Sequence, residues 1–118
     1  MQKSTKEIGK RGENLALQYM TDKGYDFITQ NYHFRKSEID LIFVKDLLLI
    51  FVEVKYRSSQ DFGLPEEMVS EKQKDLILEA AENYILENNW KYDIRFDIIS
   101  ILAVKDQVEI SHFEDAFY

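Results

Sequence analysis

The stretch that most constrains the fold of this 118-residue chain is Leu47–Lys55, which reads LLLIFVEVK. It begins with six consecutive apolar residues, a pattern that predicts a strand covered on both faces of its sheet. Because side chains alternate along a strand, Glu53 and Lys55 at the polar end of the stretch point to the same face. Charged groups buried in such a place need partners, since an unpaired buried charge is costly in free energy.

The preceding segment, Ser37–Val44, predicts a second strand, in which Asp40 stands between two apolar residues. The short link at residues 45–46 predicts a hairpin. Pairing across it brings Asp40 opposite Val52 and Glu53, so two carboxylates and the nearby lysine meet at one end of the sheet. Either the lysine neutralises one acid and nothing more happens, or a divalent cation with oxygen ligands balances the excess negative charge.

Composition and charge limit the class of protein. With 45% apolar and 14% aromatic residues, the chain predicts one globular domain over residues 1–118. It has no cysteine, which excludes a disulfide framework and a zinc–thiolate site. Residues 1–13 lack the apolar core of a signal peptide, and no apolar run approaches the roughly 20 residues that cross a bilayer, so we expect a cytoplasmic protein without membrane association. The net charge of −7 argues against strong non-specific binding to nucleic acid, although it leaves room for a locally basic surface.

The rest of the chain predicts further helices and strands on either side of this hairpin. The predicted elements are a helix from Ser4 to Lys23, a strand from Tyr25 to Phe34, a short helical turn at Pro65–Val69, a helix that begins with a capping-box pattern at Ser70 and ends near Asn88, a strand at Ile94–Val104 and an edge strand at Gln107–His112. The tail, residues 113–118, carries three aromatic residues that either cover the core or form a dimer contact.

The first helix has an apolar stripe at helical spacing. Its members are Ile8, Gly12, Leu15 and Tyr19. A glycine within a helix needs a reason, and close approach to a sheet or a ligand would supply one at Gly12. Glu13 lies on the adjacent face, with Ala16 and Met20, and is either a solvated acid or a carboxylate placed over the end of the sheet.

Four basic residues lie near the predicted acids. Arg35 and Lys36 form a turn before the strand that carries Asp40, and Arg57 follows the strand Leu47–Lys55. Lys72 is expected on the buried stripe of the second long helix, where it either extends to the rim or faces an anion. Each of these four residues either contacts phosphate or is simply solvated.

A third acid, Asp97, also lies among apolar strand residues. We expect a structural role for it, paired with Arg95, Lys72 or a backbone group. His33 and His112 match no metal-ligand spacing and are assigned no role.

The order helix, three strands, helix, strand, with Asp40 followed by Glu53-x-Lys55, resembles the PD-(D/E)XK nuclease superfamily. A narrower resemblance, to the YraN-like family of uncharacterised bacterial proteins, rests on several segments between about Ile8 and Ile101. These segments are GKRGENLA at Gly9–Ala16, EIDLI at Glu38–Ile42, FVEVKYRS at Phe51–Ser58, Phe62-Gly63, Lys72, and RFD at Arg95–Asp97. The chain departs from that family at Ser37, where the family usually has glycine. The family is similar to archaeal Holliday junction resolvases.

The resemblance implies an α/β fold, namely a three-layer α/β/α restriction-endonuclease-like domain with a central mixed sheet, in the order αβββαβ plus a C-terminal edge strand. It implies that Asp40, Glu53 and Glu13 are catalytic metal ligands for Mg²⁺ (or Mn²⁺), and that Lys55 is the catalytic lysine. The candidates for contacting nucleic acid are Arg57, Lys72, Arg35 and Lys36.

The implied function is metal-dependent cleavage of DNA phosphodiester bonds, in branched or otherwise structured DNA. The alternative is a catalytically silent module that binds nucleic acid or protein on the same scaffold. A homodimer is a further option, because resolvase-like relatives often dimerise to cut symmetric junctions.

Overall fold

The computed structural model describes the backbone of residues 5–57 and 69–118, with side chains from Lys10 onward. The elements in this part of the chain are α1 (Thr5–Asp22), β1 (Asp26–Phe34), β2 (Ser37–Lys45), β3 (Leu48–Arg57), α2 (Glu71–Glu87), β4 (Asp93–Val104) and β5 (Gln107–Phe113). Each long helix and strand that the sequence predicts is present; some ends coincide with the prediction and others are shifted by one or more residues. The helical turn predicted at residues 65–69 falls, apart from Val69, outside the described residues.

The five strands form one mixed sheet in the order β1-β2-β3-β4-β5. Neighbouring strands are antiparallel except β3 and β4, which are parallel and are joined through α2. A parallel pair needs such a long crossover, whereas the antiparallel pairs need only short turns. The prediction of β5 as an edge strand is confirmed.

The two helices cover opposite faces of the sheet, as the unbroken apolar run of β3 requires. Ile50 and Val52 pack in a cluster with Ala16 and Met20 of α1. The alternate β3 residues, Leu49 and Phe51, pack in the other cluster with the buried residues of α2. The domain is therefore a three-layer α/β/α fold with a central mixed sheet.

The side of α1 that faces the sheet differs from the predicted stripe. Ala16 and Met20 are fully buried, whereas Leu15 and Tyr19 are only partly buried. Gly12 and Ala16 on the inward face are small residues, and this lets the helix approach the sheet closely. A Cβ atom added at Gly12 would lie 3.0 to 3.1 Å from side-chain atoms of Tyr56, so the glycine allows this approach.

A two-residue turn fixes the register of β2 against β3. Asp46 and Leu47 both have left-handed backbones, with φ of 49° and 63°. This turn matches the right-handed twist of the two strands and sets Leu41 opposite Val52. The prediction that placed the link at residues 45–46 and Leu47 in the strand is wrong by one residue, since Leu47 is 59% exposed in the turn.

Asp97 is fully buried and carries a dense set of hydrogen bonds. Arg95 donates from Nε and Nη2 to its two carboxylate oxygens, each at 2.8 Å. The backbone amide of Asp115 donates to Oδ1 at 3.0 Å, and His112 Nε2 lies 2.7 Å from Oδ2. The predicted pairing with Arg95 or a backbone group is confirmed, whereas Lys72 is exposed and takes no part. The decision to assign His112 no role is wrong, because its buried ring completes this network.

The C-terminal tail covers the core, as one of the two alternatives predicted. Phe117 is 7% exposed and packs at 5.4 Å between ring centroids against Phe96. The amide of Ala116 donates to the carbonyl of Phe96 at 2.8 Å. The tail thus continues the packing of β4 on the α2 side of the sheet.

Among the described residues, neither helix is both long and apolar enough to cross a membrane.

The Asp97 network predicts a specific pH dependence of stability. Burial acts to raise the pKa of Asp97, but hydrogen bonds from His112, Arg95 and the Asp115 amide outweigh it and hold that pKa below its usual value. A depressed folded-state pKa contributes stability at neutral pH, and this contribution is lost as the pH falls through it.

We expect Asp97→Asn to lower the free energy of unfolding by about 3–5 kcal/mol at neutral pH, because it removes the buried charge that pairs with the Arg95 guanidinium and leaves only the exposed Glu114, at 3.8 Å. Urea denaturation measures this loss. Glu109→Gln, at an exposed acid on β5, is the matched control and should change stability by less than about 0.5 kcal/mol. The difference between wild type and Asp97→Asn should shrink below about pH 4, and a difference that stays constant to lower pH would contradict the assignment.

Candidate functional site

The β2–β3 hairpin brings Asp40 and Glu53 together at one end of the sheet. Leu41 pairs with Val52, and Asp40 and Glu53 are the next residues along their strands. The two acids therefore lie opposite each other. Their carboxyl groups lie close enough for each acid to shift the pKa of the other. The backbone amide of Val54 donates to Asp40 Oδ2 at 2.7 Å, and Glu53 is only 8% exposed. The two acids therefore form a buried pair that the backbone holds in place.

Burial raises the pKa of both acids. For Glu53, repulsion from Asp40 adds to burial, while Lys55 acts in the opposite direction, and the pKa reaches about 9. Glu53 accordingly holds its proton more strongly than an ordinary glutamate does. The raised pKa shows that the negative charges of the two acids are poorly compensated here. A cation bound between them would therefore be favourable.

Lys55 lies beside the acid pair without closing onto it. Its Nζ atom is 3.7 Å from Glu53 Oε1 and donates to Oε1 of Gln73 at 3.3 Å. Gln73 in turn donates from Nε2 to Glu53 Oε1 at 3.1 Å. The carboxamide of Gln73 thus bridges the acid and the lysine, and both of these side chains face α2 as the alternation of β3 predicts.

This role of Gln73 was not predicted from the sequence. The Ser-x-x-Gln pattern predicts a helix cap, and Ser70 does cap α2 by accepting from the Gln73 amide at 3.1 Å. A capping box would turn the glutamine side chain back to Ser70. Here it crosses to β3 instead, because the first turn of α2 lies over the polar end of that strand.

The prediction that Lys72 lies on the buried stripe of α2 is wrong. Its side chain is exposed, and the next residue, Gln73, takes the inward position. The buried face of α2 consists of Ile77, Ala80, Ala81 and Tyr84. Gln73 lies one helical turn before Ile77 on this face, whereas Lys72 is rotated away from it by about 100°.

Glu13 approaches the acid pair from α1. Its pKa is raised to about 7, first by burial and then by repulsion from Asp40 and Glu38. With its amide nitrogen turned towards the acids, Asn31 donates to Glu13 Oε1 at 2.8 Å and to Glu38 Oε1 at 2.9 Å. The interpretation of Glu13 as a fully solvated acid is therefore wrong, because its charge is coupled to that of the sheet acids.

Glu38 and Asn31 are further residues that the sequence analysis did not assign to the site. Glu38 could have been found, since it lies two residues before Asp40 on the same strand and so points to the same side. Asn31 gives no periodic signal. Its left-handed backbone, with φ of 54°, on the edge strand β1 directs its amide towards the two acids.

The other predicted basic residues lie around this end of the fold at different depths. Arg57 ends β3 and is half-buried, and burial lowers its pKa from the ordinary value. Arg35 is largely exposed, with Nη1 3.4 Å from Glu79 Oε1, and Lys36 is exposed. Contact of these side chains with nucleic acid stays a prediction.

The acids have the chemistry of a site for a hard divalent cation. Asp40, Glu53 and Glu13 offer carboxylate oxygens, which Mg²⁺ and Mn²⁺ prefer. No three acids or histidines among residues 5–57 and 69–118 form a ready-made metal cluster. The site is instead a touching pair with a third acid nearby. Such a set fits an ion that binds through one or two carboxylates and keeps several of its waters, as Mg²⁺ does.

Comparison with known proteins identifies the family. The model of the uncharacterised protein family UPF0102 matches residues 12–101, a range that includes all of the acids above. The chain belongs to this family. A UPF0102 protein of Flavobacterium psychrophilum is 42% identical over 112 residues, covering 95% of this chain and 94% of that one. A UPF0102 protein of Natranaerobius thermophilus is 45% identical over 118 residues, covering 97% and 99% of the two chains. Membership of UPF0102 confirms the YraN-like resemblance.

The raised pKa of Glu53 predicts that stability falls as the pH rises. A carboxyl group whose folded pKa is about 9 binds more protons in the folded than in the unfolded state between about pH 5 and 9. In EDTA, the free energy of unfolding should therefore decrease across this range, with a slope of at most about 1.4 kcal/mol per pH unit from this group.

Glu53→Gln should remove this slope and make the variant more stable than the wild type at the upper end of the range. Urea denaturation at several pH values measures it. Glu87→Gln, an acid on the exposed end of α2, is the control that should keep the slope. Parallel pH profiles for wild type and Glu53→Gln would show that Glu53 titrates normally.

Proposed function

We propose that the chain is a metal-dependent endonuclease that hydrolyses phosphodiester bonds of DNA, with branched or otherwise structured DNA as its substrate. The observation that carries the proposal is the buried Asp40–Glu53 pair with Lys55 held 3.7 Å from Glu53. Membership of UPF0102 supports the scaffold, and the resemblance to resolvase-like nucleases supports the type of substrate. The cytoplasmic location expected from the sequence is part of this proposal.

Three acids would hold the ion, each in a different way. Asp40 is fixed by the Val54 amide, so one of its oxygens is already oriented when the ion arrives. Glu53 would have to ionise to act as a ligand, and Glu13 would complete the ligand set from the α1 side. A bound Mg²⁺ would supply a positive charge that polarises the scissile phosphate and lowers the pKa of the attacking water.

Lys55 supplies a positive charge next to the reacting group. Its ammonium orients the attacking water or offsets the charge that develops on the phosphoryl oxygens. Gln73 acts as a positioning residue, because it accepts from Lys55 and donates to Glu53. Arg57, Lys72, Arg35 and Lys36 are proposed contacts to phosphates beyond the scissile one.

A silent binding module on the same scaffold is the second candidate. It is favoured by the net charge of −7 and by the lack of a three-residue metal cluster in the described ranges. On this alternative, the chain shifts the mobility of DNA in EDTA, and Asp40→Asn leaves that binding unchanged.

Cleavage assays test the endonuclease directly. Supercoiled, flap and four-way DNA substrates are incubated with the wild-type chain and Mg²⁺ or Mn²⁺. We expect Asp40→Asn and Glu53→Gln each to slow cleavage by at least about 100-fold, because each removes a carboxylate ligand of the proposed metal ion.

The matched control is Asp46→Asn, since Asp46 is an exposed acid on the turn of the same hairpin. It should cleave as the wild type does. Circular dichroism shows whether the variants are folded. Lack of cleavage on every substrate, or full activity in both site variants, would refute the proposal.

Calorimetric titration with Mn²⁺ tests the site without a substrate. Wild type should bind Mn²⁺ with release of a proton, because Glu53 must ionise to act as a ligand. Asp40→Asn should weaken the binding by about 10–100-fold, while Asp46→Asn should leave it unchanged. Equal Mn²⁺ affinity in all three chains would place any bound ion elsewhere.

A further inference from the structure

A small pocket lies between the β1–β2 turn and α2, apart from the acid pair. It has a volume of about 230 Å³ and is lined by Arg35, Lys36, Ser37, Leu76 and Glu79. This volume is below the roughly 300–1,000 Å³ of sites that hold drug-sized ligands. A single small group, such as one phosphate, suits it better than a whole nucleoside.

Ser37 forms the buried part of this pocket. Its side chain is 3% exposed, and its Oγ atom has no hydrogen-bond partner among the described residues. Most buried hydroxyl groups are hydrogen-bonded, and leaving one unpaired lowers stability. A serine hydroxyl can rotate among three staggered positions, so it can turn towards a group that enters the pocket. A ligand that enters the pocket can therefore supply the missing partner.

The charges around the pocket favour an anion. Arg35 and Lys36 carry two positive charges, against the single negative charge of Glu79. Arg35 is 75% exposed and is 3.4 Å from Glu79, a weak surface pair that an incoming anion can replace. Lys36 is exposed and forms no ion pair within the described part of the chain. In a chain of net charge −7, this is a locally basic surface.

We propose that this pocket binds a backbone phosphate of the DNA strand whose scissile bond lies at the Asp40–Glu53 site. The inference rests on the proposed endonuclease function and adds a subsite to it. Ser37 is three residues from Asp40 on the same strand, a distance of about 10 Å. This distance suits a phosphate about one or two nucleotides from the scissile bond, because neighbouring phosphates of one strand are farther apart in space than the rise along the helix axis. The Ser37 hydroxyl donates to a phosphate oxygen, and the two basic side chains neutralise its charge.

Ser37→Ala tests the role of the hydroxyl through two readouts that move in opposite directions. Affinity for a fluorescein-labelled DNA oligonucleotide, measured by fluorescence anisotropy in EDTA, should fall by about 3–10-fold. The Tm of the free protein should rise by about 2–5 °C, because the variant no longer buries an unpaired hydroxyl. Ser111→Ala, at an exposed serine of β5, is the control and should change neither quantity.

Salt dependence separates the hydroxyl from the charges. Lys36→Gln should lower the slope of log affinity against log salt concentration by about 0.9, as expected for the loss of one phosphate contact. Ser37→Ala should weaken binding without changing that slope. An unchanged slope in Lys36→Gln would show that the pocket does not contact a DNA phosphate.

Titration with inorganic phosphate distinguishes a DNA phosphate from free phosphate. The measurement follows the amide signals of residues 35–37 by NMR in the full chain, at constant ionic strength. We expect weak shifts that are lost in Ser37→Ala. Strong phosphate binding, together with unchanged oligonucleotide affinity in Ser37→Ala, would assign the pocket to free phosphate and overturn the DNA subsite.

The binding measurements contain no divalent metal, so they can fail independently of catalysis. If Ser37→Ala keeps wild-type affinity for DNA, or if the wild type binds no DNA, the subsite is wrong even where cleavage is observed. If Ser37→Ala loses affinity but no substrate is cleaved with Mg²⁺, the subsite stands and the endonuclease proposal fails.

Discussion

The structure depends most on the contact between two carboxyl groups inside a sheet that is covered on both sides. Asp40 and Glu53 interact at a position where burial raises the pKa of both. Residues from all three layers interact with these two acids. The sheet supplies the Val54 amide to Asp40, α2 supplies Gln73 to Glu53, and α1 brings Glu13 within electrostatic reach. The fold therefore assembles the site from elements that are distant in sequence.

Three acids lie among apolar strand residues, and the structure separates them into two kinds. Asp97 is satisfied by Arg95, His112 and a backbone amide, and its pKa is lowered. Asp40 and Glu53 face each other, and the pKa of each is raised. The first arrangement stabilises the charged form of the acid and is complete in itself. The second leaves two buried acids whose negative charge a cation would balance, which is why only the second is a candidate for chemistry.

The order of elements, the central hairpin and its charged end could be predicted from the sequence, because they follow from local periodicity. The apolar run of β3 requires two covered faces, and its alternation places Glu53 and Lys55 on one side. The rotation of each helix about its axis could not be predicted as well. The residue of α2 that faces the site was predicted as Lys72, but it is Gln73. One residue along a helix corresponds to a rotation of about 100°. Contacts between layers, such as that of Asn31 with Glu13, depend on this rotation and on backbone conformations that no periodic pattern reveals.

The two-residue turn at Asp46 and Leu47 has a consequence for how the chain can vary. Because strand side chains alternate, adding or deleting one residue between Asp40 and Glu53 would send one of these acids to the opposite face of the sheet. Their juxtaposition is thus encoded by a spacing as well as by two residue types. Homologous chains that retain the acids should hold the length of this segment fixed, or change it only by paired insertions that preserve the parity of the hairpin.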